Sequence, residues 1–499
     1  MIKAPLTTKT MSMFAALMMI LISGLSCRTL GGVTIGPTLQ NQSLAMAKQL
    51  EESGALVSAP EITAYVTAIG ERLLAQADSK QVSNFHFAVL DEAAPNAFSI
   101  PSGHVYVSRG LLTLLQTEDE LAGVIGHEIG HVLEQHSLEQ ATGSLAIAPI
   151  RLVTRLGGGL VGLVLPRVGK MMTATVEIPA ALSGASYGRS QENEADEVGQ
   201  RLAAAGGWDP MALSRVMDAF AREATMRGED PTKTSWFATH PASPDRAARI
   251  QEHAGKLSAG PSQSVAESAV AFLSKLDGLV VGPSARNGVF NGSEFLHPSL
   301  EFVVRFPHGE EWNYVNTEQA VAAFRNEPPG LVVLEVVSKG DDALAVAQEF
   351  EPEAGKLDEP PFGEIVNGLP TARATGRDKG GWGREPIRAS ARWIAHQGLV
   401  YRILSESTEH AYPLSAYDFD SAERSFRVLT PDDRERIVED RLHIAIAMEG
   451  ETLAELLART ESDWDLEEAA AANGVEASAT FSRGDPVKIT RRERYSLER

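Results

Sequence analysis

The chain has 499 residues, too many for one ordinary domain, and its 43% hydrophobic and 22% charged residues are enough to build several packed cores. Its net charge of −21, from 45 basic and 66 acidic residues, excludes nucleic acid as a partner, because phosphate binding needs a basic field. The single cysteine, Cys27, excludes an intramolecular disulfide and a thiolate metal cage.

At the N-terminus, Lys3 and Lys9 precede an apolar run over 11–25 that is too short to span a bilayer comfortably. The small residues Ser23, Gly24 and Ser26 stand just before the break, so 1–27 reads as a secretory signal. Cys27 at that break resembles the acylated first residue of a mature bacterial lipoprotein, although Gly24 stands where such signals usually carry Leu. The resemblance implies a lipid anchor to the membrane at Cys27. Arg28, in place of an aspartate, implies sorting to the outer membrane and a periplasmic location.

The next unit, 28–255, reads as mainly helical with a small sheet. A helix is expected over 40–52 and another from Pro60, with Ser58 as its cap. The alternation over 84–90 predicts a strand, 94–98 a loop, and 103–108 a second strand. The apolar, glycine-rich stretch 156–166 is bracketed by Arg155 and Arg167 and is too short to span a membrane, so it reads as a lid or buried segment.

The decisive residues are His127-Glu128-Ile129-Gly130-His131. On a helix, positions four apart share one face, so both imidazoles can grip one metal ion. Glu128 is rotated by about 100° from His127, beside the metal and able to take a proton from water there. Thr117 and Glu120 form a capping-box pattern at the helix start, with Glu118 and Asp119 in the first turn. Gly123, Gly126 and Gly130 each weaken a helix by ~1 kcal/mol relative to Ala, which makes sense if another backbone approaches closely. A catalytic zinc needs three protein ligands and one open position. His136 is not at the spacing of a metzincin third ligand and reads as a surface histidine or one supporting the ligands. Downstream, Glu192 and Asp196 again sit four apart on a helix that ends at Gly206-Gly207. One of these carboxylates can bind zinc while the other holds a zinc histidine by its free N–H.

Three motifs extend the pattern: Asn96-Ala97-Phe98-Ser99-Ile100-Pro101-Ser102-Gly103, Gly110-Leu111-Leu112, and Glu192 followed by Ala195-Asp196. With the HEIGH run, and with Thr239-His240-Pro241 and Arg246 further on, this region resembles the CAAX-prenyl-protease-like gluzincins, and among them their soluble periplasmic branch. The resemblance covers about 40–255. It implies one zinc ion per chain, held by His127, His131 and Glu192, with Asp196 supporting a zinc histidine and Glu128 as the base. His240 then has three readings: an oxyanion donor, an occupant of the open zinc position at rest, or a plain loop histidine. Arg246 is either a donor in the site or the partner of a nearby acid. Strand 104–108, if it is a sheet edge, could hold a peptide substrate through backbone bonds.

Residues 256–292 mix Gly, Ser, Ala and Pro and read as a linker. Strand-like runs at 301–306, 331–337 and 399–404 alternate with helical ones at 341–350 and 415–426, so 293–430 reads as an α/β sandwich with helices over one sheet. The last unit, 436–492, has Gly450-Glu451-Thr452-Leu453, two short helices, Asn473-Gly474 and Gly484-Asp485 before a strand. It resembles a LysM-type βααβ module, which implies binding of peptidoglycan. The fold class expected is therefore multidomain α+β: a zincin-type peptidase domain, a sandwich and a small module. The function expected is an exported zinc metalloendopeptidase acting on envelope proteins, in quality control or outer-membrane assembly. A zinc-site chaperone or a wall-anchored scaffold is the competing reading.

Overall fold

The computed structural model describes residues 37–77, 84–136, 187–226, 236, 240, 245–316, 320–352, 355–380 and 385–496. The expected signal segment 1–27 and the apolar stretch 156–166 lie outside the described residues. Among the described residues, no helix is long and apolar enough to cross a membrane.

The first unit opens with α1 (Pro37–Glu52) and α2 (Pro60–Leu74). Pro60 starts α2 as expected, but its N-cap is Ala59, without a side-chain hydrogen bond, so Ser58 is not the cap. A three-stranded sheet follows: β1 (His86–Leu90), β2 (Ala97–Ser99) and β3 (His104–Ser108), in the order β1-β3-β2. The stretch read as a loop over 94–98 thus ends in a strand, with Ala97 opposite Val107 in an antiparallel pair. β3 is central, so the sheet edge facing away from β1 belongs to β2, not to 104–108. A short α3 (Arg109–Leu114) then leads to α4 (Glu118–Leu133), which carries the HEIGH run. Thr117 Oγ1 accepts the Glu120 N–H at 3.3 Å, whereas the Glu120 carboxylate takes the N–H of Gln116 at 2.6 Å, so only half of the expected capping box forms.

Beyond α4 come α5 (Arg189–Ala205), α6 (Ala212–Met226) and α7 (Arg246–Ala254). Val66 and Ile69 of α2, Val105 and Val107 of β3, Leu121 and Ile125 of α4, and Phe220 of α6 share one core. Each such side chain contributes roughly 1.5–3 kcal/mol when taken fully out of water. Glu118, buried at the start of α4, ties this core together. It accepts from Tyr65 Oη at 2.5 Å, Trp208 Nε1 at 2.9 Å and the backbone N–H groups of Val265 and Ala266.

Those last two bonds begin a difference from the expected linker at 256–292. A helix, α8 (Ala269–Leu276), buries Phe272, Leu273 and Leu276 in the same core as α4. The next strand, β4 (Val280–Val281), pairs with Val438–Ile446 of the last unit. One of the small residues that mimic a linker, Gly260, permits close packing, since a Cβ there would stand 2.1 Å from Ala205 O.

The middle unit is sheet-rich. Eight antiparallel strands include Gly330–Lys339, Leu369–Arg377, Ile387–His396 and Leu399–Thr408, and a second sheet of four runs through Phe302–Arg305. Side chains alternate across Ile387–His396, so Trp393 packs with helix Ala343–Gln348 while Ile394 packs toward helix Tyr412–Arg424. The large sheet therefore carries one helix on each face. The last unit runs strand Val438–Ile446, helix Leu453–Thr460, helix Leu466–Asn473, strand Pro486–Arg494, with the two strands antiparallel. It docks on the first unit. Lys488, fully buried, donates to the carbonyls of Thr113, Leu114 and Leu115 at 2.8, 3.2 and 2.8 Å, closing the C-terminal end of α3.

Candidate active site

Two helices build the site because three glycines let them touch. A Cβ on Gly126 would stand 3.0 Å from Gly199 O, one on Gly130 2.8 Å from Ala195 O, and one on Gly199 2.6 Å from His127 N. Only glycine tolerates such backbone approach. The contact sets Glu192 and Asp196 of α5 directly against His127 and His131 of α4.

Four buried side chains converge. His127 Nε2 lies 3.0 Å from His131 Nε2, and His131 Nε2 lies 3.3 Å from Glu192 Oε1. His240 Nδ1 closes the group, 3.1 Å from His127 Nε2 and 3.0 Å from Glu192 Oε1. One ligand atom from each of the four falls within 4.8 Å of the others. Two neutral imidazole lone pairs facing one another at 3.0 Å repel unless a proton or cation lies between them. Two imidazoles and a carboxylate, dry and converging on one point, are the donor set of a divalent transition-metal site.

The outer atoms of these groups are also engaged. His127 Nδ1 lies 2.9 Å from Asp196 Oδ1. Arg246 Nε and Nη2 each donate to one Asp196 oxygen at 2.8 Å, and Nη1 pairs with Glu192 Oε2. Arg246 thus bridges both carboxylates and reaches the site through them. Burial opposes ionisation of Asp196, yet Arg246 and His127 outweigh it and hold its carboxyl below the usual range. Burial likewise opposes the charge on Glu192, and His240, His131 and His127 overcome it. Burial and the neighbouring His127 push His131 well down, leaving the neutral ring that ligation requires. For His240, burial is outweighed by Glu192 and Glu128, and its pKa rises.

Glu128 is fully buried beside the cluster. Its Oε2 accepts from Ser99 Oγ at 2.9 Å, and its Oε1 lies 3.4 Å from His240 Nε2. Ser99 sits on β2, so the sheet edge and the carboxylate are joined by one bond. Sequence reasoning quoted Ser99 only as part of a motif. Two further neighbours went unnoticed: Tyr187 stacks on His131 with ring centres 3.8 Å apart, and Trp236 stacks on His240 at 4.8 Å. His136, read as a surface histidine or one supporting the ligands, is buried and touches His131. An aromatic four residues before His240 was the one available signal for Trp236.

Residues 60–254 match the family model described as Peptidase family M48. A β-barrel assembly-enhancing protease from Yersinia pestis is 28% identical over 238 residues, 47% of this chain and 48% of that protein. The protein of the same name from Escherichia coli K12 is 29% identical over 232 residues, 45% of this chain and 47% of its own length. The metalloprotease LoiP of Escherichia coli K12 is 29% identical over 157 residues, 32% of this chain and 58% of that one. The chain spans about half the length of the β-barrel assembly-enhancing proteases it matches. Among solved structures, LpqN of Mycobacterium tuberculosis aligns over 26% of this chain and 84% of its own, at 10% identity and a TM-score of 0.22, too low to support a fold argument.

Proposed function

We propose that this chain, whose residues 60–254 match the model of Peptidase family M48, is a zinc-dependent metalloendopeptidase that hydrolyses envelope proteins. The observation that carries this reading is the buried convergence of His127, His131 and Glu192 on one point with Glu128 beside it. His127 Nε2, His131 Nε2 and a Glu192 oxygen would hold one zinc ion. When bound, zinc supplies Lewis acidity that lowers the pKa of water toward ~7 and polarises a peptide carbonyl. Glu128 takes the proton of the attacking water at Oε1, because Ser99 occupies Oε2, and passes it to the leaving amine. Asp196, 2.9 Å from His127 Nδ1, would favour the tautomer of His127 that leaves Nε2 free for zinc. Arg246 keeps two buried carboxylates ionised side by side. His240, with Nδ1 3.1 Å from His127 Nε2 and 3.0 Å from Glu192 Oε1, would occupy the open zinc position in a resting arrangement. The edge of β2 is the surface on which an extended peptide would add as a strand.

The same reading places the protein outside the cytoplasm. The signal pattern over 1–27 supports export, and Cys27 supports a lipid anchor to the outer membrane. Two of the relatives are named for enhancing β-barrel assembly, which supports outer-membrane protein quality control as the setting. The βααβ order over 438–494 supports a LysM-like module and, through it, peptidoglycan as a partner. The test is cleavage of casein by the purified chain. Activity that a chelator abolishes and zinc restores supports the reading; cleavage indifferent to the chelator, or none with zinc at full occupancy, overturns it.

A further inference from the structure

A chain of contacts leaves the ligand group through His131. Helix α4 ends at Leu133, Glu134 caps it, and Gln135 takes a left-handed backbone with φ of 59°. That reversal is unusual for a residue other than glycine. It brings His136 back against His131, where it is buried with 1% exposure. His136 Nδ1 then lies 3.0 Å from His131 Nδ1, and His136 Nε2 lies 3.3 Å from Glu194 Oε2. Glu194, half-exposed, takes a further bond from Ser190 Oγ at 3.0 Å.

The proton positions follow. His131 turns Nε2 toward Glu192 and His127, so that atom must offer its lone pair to a cation, and the ring proton sits on Nδ1. Two Nδ1 atoms at 3.0 Å then require His136 Nδ1 to accept. A neutral His136 carries its proton on Nε2 and donates it to the Glu194 carboxylate. We propose that His136 is a positioning residue that fixes the tautomer and orientation of His131 for zinc, linking it to the Glu194 carboxylate. His127 has the Asp196 carboxylate directly beside its Nδ1, at 2.9 Å; His131 reaches a carboxylate through one intervening ring. The inference rests on the zinc reading above.

The test is zinc affinity by competition with a chromophoric chelator, on the full chain. His136→Leu removes the acceptor and is expected to raise the zinc Kd by ~10–100-fold. His136→Asn places its amide oxygen near the position of Nδ1 and is expected to recover most of that loss. A merely space-filling role would favour Leu over Asn, so the order of the two variants carries the result. Histidine-selective ¹⁵N spectra of the zinc-loaded wild type give a second readout that no folding defect can obscure: His136 protonated on Nε2 and bare on Nδ1. Leu binding zinc as tightly as wild type, Asn no better than Leu, or a His136 proton on Nδ1 would overturn the inference while leaving the metal site standing. Failure of the wild type to bind zinc would remove the metal reading, and this inference with it.

Discussion

Replacing Gly199 by Ala tests whether helix contact sets the metal geometry. The new Cβ would stand 2.6 Å from His127 N and 2.8 Å from Gly126 C, against 3.4 Å for ordinary contact. Because both neighbours are backbone, relief comes only by moving α5 away from α4, by about 0.8 Å at the closest atom. That displacement carries Glu192 and Asp196, which lie on α5, away from His127 and His131. Overpacking costs ~1–3 kcal/mol, and the better helix propensity of Ala returns ~1 kcal/mol, so stability falls by ~0–2 kcal/mol. A shift approaching 1 Å is expected to cost catalysis more, on the order of 10²-fold in kcat/KM, together with weaker zinc retention. Gly123→Ala is the control, since its Cβ would meet Leu213 N at an ordinary 3.4 Å and is expected to be neutral or mildly stabilising. Peptide-cleavage kinetics, metal content and thermal unfolding of both variants give the answer. Wild-type cleavage and zinc content in Gly199→Ala would refute the argument.

Other perturbations read other parts of the account. Arg246→Leu leaves Asp196 and Glu192 buried without their partner, so the chain is expected to lose ~3–5 kcal/mol of stability, measured by denaturant unfolding; a loss below ~1 kcal/mol would contradict the bridging role. His240→Ala clears the fourth side of the ligand group and is expected to raise casein cleavage; a fall of ~10²-fold would mark His240 instead as an oxyanion donor, and an unchanged rate as idle. Burial pushes Lys488 from 10.5 down to about 7. Between those values the unfolded chain holds a proton that the folded chain lacks, so this residue makes stability rise with pH, by up to ~1.4 kcal/mol per unit, and leaves it flat below about 7. Lys488→Met is expected to lose that slope in unfolding measured from pH 7 to 9, and identical slopes would refute it.

Much of the first unit was legible because its signals are local. The spacing of His127 and His131, the acidic first turn of α4, and Gly206 ending α5 each follow from helix geometry. The glycines of α4 announced a close neighbour without naming it; α5 is that neighbour, through Gly199 and Ala195. What escaped was long-range. Nothing in 97–99 distinguishes a three-residue strand from a loop until β3 pairs with it, and only that pairing decides which strand is the edge. The 256–292 segment has linker composition, yet Phe272 and Leu276 join a core whose α2 and α4 residues lie more than a hundred residues away in sequence. The link from His131 through His136 to Glu194 depends on the left-handed turn at Gln135, which no helix period encodes.

The most direct measurement is casein cleavage by Glu128→Gln, made alongside its zinc content. The substitution removes a proton acceptor and keeps the size of the side chain and the Ser99 contact at Oε2. Zinc content equal to wild type with cleavage reduced by ~10²–10⁴-fold is the predicted result. Cleavage by the variant at the wild-type rate, with zinc in place, would contradict the assignment of this chain as a metallopeptidase.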